Sequence, residues 1–155
     1  MNENLIGFER ILLQIMSLVG LKFSIKEKKF PASIILGIFS LGFSISLYST
    51  SNTISIGFAL STIGLFLLTL YGLIIKDLSI SERTILVSMS TFVLIGNIFA
   101  LEHWRYYSRI QMGSIMTLPM ILIYINVSGN NRKTEFILST IVFLFGIFRF
   151  ISIWS

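Results

Sequence analysis

Cysteine is absent from this chain. That excludes disulfides, thiolate nucleophiles, cysteine-ligated zinc or iron–sulfur centres, and haem attached through C-x-x-C-H. Histidine occurs once, at His103, and aspartate once, at Asp77. With one histidine and no thiol, no multi-ligand metal site is expected, and nothing calls for a cofactor. Charge is scarce too: charged residues make up 12% of the chain, hydrophobic residues 54%, and mean hydropathy is +0.87. Soluble domains carry about 25% charged residues. So little charge cannot cover a water-facing surface, and the chain reads as an all-α, polytopic membrane helical bundle.

The net charge of +5 does not point to nucleic acid, because the basic residues flank apolar runs instead of forming a reading pattern. Anionic lipid headgroups are the better partner. A cleavable leader is not expected either: Ile11–Leu21 is interrupted by Gln14, preceded by Glu9, and lacks a small-x-small cleavage site.

What is present is a series of long apolar runs. A helix needs about 20 such residues to cross a ~30 Å hydrocarbon core. Five segments qualify, roughly 30–49, 53–75, 84–101, 110–127 and 136–153. Continuous apolarity favours helices over barrel strands, which alternate. Pro31 suits a first helical turn. Ser79–Glu82, "SISE", reads as a capping box opening span three. Ser128–Asn131, "SGNN", closes span four, and Pro119 is expected to kink it.

Residues 1–29 form a separate segment in this reading, with 30–155 as the bundle. Glu3, Gly7, Arg10, Gln14 and Ser17 share one helical stripe, with Leu5, Phe8, Leu12, Ile15, Met16 and Val19 opposite. That predicts an amphipathic helix lying in the membrane interface, followed by Lys22, Lys26 and Lys29 on a face toward lipid headgroups. With five crossings, the positive-inside rule places the N-terminus in the cytoplasm and the C-terminus outside.

Helices in lipid associate by close packing of small residues. Ser33, Gly37, Ser40 and Ser44 line one face of span one, and Gly57, Ser61 and Gly64 line one face of span two. These two stripes are expected to pack on each other.

The densest chemistry is Ala100–Ile110, "ALEHWRYYSRI". As a reaction centre it would use His103 as base and Glu102 as its orienting partner. Adjacent helical residues diverge by about 100°, however, and Asp77 is expected across the bilayer, so a triad is excluded. The aromatics suit the headgroup zone, and Arg105 and Arg109 suit lipid phosphates. Arg149 falls on the small-residue face of span five, where it is expected to meet Glu102 or to snorkel outward.

The resulting functional expectation is a non-catalytic membrane protein acting by helix–helix association, as an accessory subunit of a membrane complex or as a homo-oligomer. The first alternative is a small transporter or oligomeric pore lined by Ser88, Thr91, Asn97, Thr117 and Arg149. The second is a lipid-headgroup-modifying enzyme using Glu102, His103, Arg105 and Arg109.

Overall fold

A computed structural model describes residues 3–48, 51–101, 116–127 and 133–154. These form six helices, with no strand among the described residues: α1 Glu3–Lys26, α2 Phe30–Ser46, α3 Ser51–Ile74, α4 Ile80–Leu101, α5 Thr117–Val127 and α6 Lys133–Trp154. Each expected span corresponds to one helix from α2 to α6. Two helices, over Asn52–Ile74 and Ile80–Phe99, are long and apolar enough by themselves to cross a membrane; Phe30–Ser46 and Thr117–Asn126 are apolar but shorter.

Local signals set several of these boundaries. α2 opens with Pro31 in its first turn, where the missing N–H costs nothing. The capping box is formed as expected: the Ser79 hydroxyl accepts from Glu82 N–H at 3.2 Å, and the Glu82 carboxylate accepts from Ser79 N–H at 2.9 Å. Pro119 lies in the first turn of α5, and residues 102–115, against which the expected kink would be seen, lie outside the described residues.

The helices run up and down around a ring. Between α1 and α2, Ser33 donates to Ser24 (2.8 Å), Gln14 to Ser40 (3.2 Å) and the Arg10 guanidinium to Ser46 O. Thr69 of α3 donates to Ser90 of α4 at 2.9 Å. Gly146 of α6 faces Thr117 of α5 and Val93 of α4. Phe8 of α1 meets Phe148 of α6 edge to face at 6.5 Å, and Gly20 faces Ile137. The ring therefore closes, and the start of α1 lies beside the end of α6. Its centre is filled by Leu36, Phe39, Leu65, Met89, Leu138 and Ile141, all buried. Phe43 bridges across it, stacked on Phe39 and edge-on to Phe145.

Two expectations need correction. α1 does not lie apart from the bundle: its polar stripe is real but points inward. Ser17 and Ser24 are fully buried, while Phe8, Ile11, Ile15 and Val19 are exposed. The physical reason is that Gln14, Arg10 and Ser24 find hydrogen-bond partners on α2. Nor do the two small-residue stripes pack on each other. Ser33 and Ser40 of α2 turn to α1. Gly57 of α3 meets Gly42 and Ser46 of α2, and Gly64 meets the Phe39 ring. Gly37 has no neighbour within 4 Å of where a Cβ would stand.

Candidate functional site

The turn after α1 is one that glycine usually makes. Lys28 is left-handed, with φ 56°. Its N–H donates to Ile25 O at 3.1 Å, and the Lys29 N–H donates to Ser24 O at 2.9 Å. This bond pair is a Schellman closure. A side chain in the left-handed position costs about 1–2 kcal/mol. The sharp reversal sets Lys29 at the N-cap of α2, with its side chain over the start of α6.

There it meets a carboxylate. Lys29 Nζ stands 2.6 Å from Glu135 Oε2 and 3.0 Å from Glu27 Oε2. Tyr71, near the end of α3, donates its hydroxyl to Glu135 Oε1 at 3.0 Å. Thr134 donates to Glu27 Oε2 at 2.8 Å. The Lys133 ammonium lies 5.5 Å from the centre of the Phe23 ring, within cation–π range. Glu135 is only 1% exposed, and it occupies the first turn of α6, where aligned peptide dipoles favour a negative charge.

Burial opposes ionisation of both groups in the turn, and their partners outweigh it. Despite desolvation, hydrogen bonds from Lys29 and Thr134 and the Lys29 charge hold Glu27 below the usual carboxylate range. Despite desolvation, Glu135 and Glu27 raise the Lys29 ammonium above its ordinary range. The cluster thus ties the α1–α2 turn, α3 and α6 together by charge-assisted bonds. Among the described residues, no three histidine or acidic side chains gather to hold a metal.

Compared with known protein families, with curated proteins and with solved structures, the chain matches none.

Of the residues singled out in the sequence, Lys29 enters this cluster, while Lys22 and Lys26 are exposed on the last turns of α1. Glu102, His103, Arg105 and Arg109 lie outside the described residues, as does Ser128–Asn131. Arg149 lies within α6, but its pairing with Glu102 falls outside them too. Asn97 is 1% exposed, with neither amide atom hydrogen-bonded among the described residues, and Ser139 is likewise buried, its hydroxyl without a partner among them.

Sequence reasoning missed Glu27, Tyr71, Thr134 and Glu135. One local signal was legible: a carboxylate one residue before an apolar run suits a helix N-terminus. Its partner is 106 positions away, and no local pattern reports that.

Proposed function

We infer that the chain is an integral membrane protein that acts without catalysis, by helix–helix association, as an accessory subunit of a membrane complex or as a homo-oligomer. One observation carries the membrane reading. Phe8, Leu41, Phe66, Phe92, Leu122 and Phe136, one from each helix, are exposed, whereas Ser17, Ser24, Ser90, Thr134, Glu135 and Ser139 are buried. In water, exposed apolar surface spread over every element is a liability. In lipid it is the stable arrangement, and the buried hydroxyls and charges serve as contacts between helices.

The association reading follows from the same surface. Each helix turns large apolar side chains outward among the described residues, so a neighbouring helix displaces lipid by better packing alone. Five crossings leave the N-terminus in the cytoplasm and the C-terminus outside. Because α1 packs antiparallel to α2 and α6, reading it as a sixth crossing moves the N-terminus outside as well. The end of the bundle bearing Lys22, Lys26, Lys28, Lys29, Lys76 and Lys133 is then cytoplasmic by the positive-inside rule.

The deciding experiment is purification in mild detergent followed by native mass spectrometry. The expected species is a homo-oligomer or a complex with a retained partner. A lone monomer, with nothing retained, overturns association. Release of the chain from membranes by alkaline carbonate overturns the membrane reading itself.

A second reading, a small transporter or pore, is favoured by the unsatisfied Asn97 and Ser139 inside the bundle. Buried polar groups of this kind ordinarily find water or a ligand. It predicts solute flux in liposomes that Asn97→Leu abolishes; unchanged flux removes it.

A further inference from the structure

Between α2 and α3 lies an open groove of about 550 Å³, within the size range of small-molecule sites. Its origin is the run of residue sizes along α3. Gly57 and Gly64 let the two helices touch closely at one end. Past Gly64, α3 presents Leu67, Leu70 and Tyr71 to the groove, and its next glycine, Gly72, faces Val87 of α4 instead of α2. The groove occupies that wider end.

Its walls are apolar, made by Ile34 and Ile35 of α2 and by Leu67, Leu70 and Ile74 of α3. Tyr71 also lines it, with its hydroxyl already committed to Glu135. The lining changes character only at one end, where Lys76 and Asp77 follow each other just beyond α3. Both are exposed. Neither forms an ion pair or a side-chain hydrogen bond among the described residues. An apolar trough ending in one exposed cation and one exposed anion is complementary to an amphiphile carrying both charges at its head.

We propose that this groove binds a single zwitterionic phospholipid, with one acyl chain along Ile34, Leu67 and Leu70, its phosphate at Lys76 and its ammonium at Asp77. The inference rests on the membrane reading above, which puts the groove mouth in the hydrocarbon and the charged pair at the headgroup level. A partner helix fits the same groove less well: adjacent opposite charges at one end match a lipid head, and nothing polar lies along the remaining length to match a helix.

The test is native mass spectrometry of the full chain in mild detergent, titrated with a phosphoethanolamine lipid and, separately, with a phosphoglycerol lipid of the same chains. The wild type is expected to retain one phosphoethanolamine lipid in preference to phosphoglycerol. Asp77→Asn should weaken that lipid by up to about fivefold, the scale of a partly solvated ion pair, while leaving phosphoglycerol binding unchanged. Ile34→Trp, which fills the trough from an already exposed position, should abolish retention of either lipid. Should Ile34→Trp fail to fold, the Asp77→Asn ratio decides alone.

Equal retention of the two lipids, or no change in Asp77→Asn, overturns the proposal. So does a protein partner that is lost in Ile34→Trp while lipid retention is unaltered. A chain that stays in the membrane after alkaline carbonate but shows no lipid preference refutes only the groove. Release by carbonate refutes the membrane reading beneath it.

Discussion

Lys28 and Lys29 are neighbours with opposite energetic roles. Lys28 holds a left-handed conformation, φ 56°, that its Cβ opposes. Lys28→Gly should therefore raise stability by about 0.5–1 kcal/mol, after the greater freedom of glycine in the unfolded chain is deducted. A higher melting temperature in detergent is the readout, and a lower one counts against the Schellman geometry. Lys29 is stabilising because Glu135 is 1% exposed and depends on it. Lys29→Met leaves a buried carboxylate with Tyr71 alone and should cost about 3 kcal/mol or more. Glu135→Gln keeps an acceptor for Tyr71 and leaves Lys29 with Glu27, so it should cost about 1 kcal/mol. Equal losses in thermal unfolding would show that the carboxylate does not rely on Lys29.

Among elements, the tightest seam is α2 against α3. A Cβ on Gly57 would stand 2.5 Å from Gly42 O and 2.7 Å from Ser46 Cβ. Backbone atoms cannot swing aside as side chains do. Gly57→Ala should therefore push the helices apart and cost about 1–3 kcal/mol. Gly37→Ala meets nothing within 4 Å and should be neutral or stabilising by about 0.5–1 kcal/mol, since alanine is the better helix former. Comparable losses from the two variants, read as melting temperatures, would refute the assignment of the packed face. Sequence periodicity identified both positions as members of small-residue stripes. It could not say which stripe meets which helix, because either face of α2 offers small residues. The polar side chains of α1 decided it by hydrogen-bonding the Ser33 and Ser40 face.

For the molecule as a whole, the clasp at the lysine-rich end should make stability depend on pH. Glu27 is held below its ordinary value of 4.5, so its contribution is present above that value and lost as pH falls through its lower folded one. Lys29 is raised above 10.5, so its contribution is present below that value and lost as pH rises through its higher folded one. Melting temperature should form a plateau between these limits, and Glu27→Gln should flatten the acid limb. An acid limb unaltered by that substitution places its cause elsewhere. The absence of cysteine also makes topology directly measurable. With α1 as a sixth crossing, a cysteine introduced by Glu3→Cys should react from outside with an impermeant maleimide in intact cells, and one introduced by Lys28→Cys should not. Labelling at neither position restores the interfacial placement of α1.

The sequence by itself determined that the chain is helical, where α2 to α6 lie, and how α4 begins, because composition, run length and capping act within a few residues of the chain. It also marked the polar stripe of α1. Only the tertiary structure decided which way that stripe points, since an amphipathic face is equally satisfied by water on one side or by serines of a neighbouring helix. The same holds for the Lys29, Glu135 and Tyr71 cluster. Its members come from the α1–α2 turn, α3 and α6, and their attraction exists only once packing has removed the solvent between them.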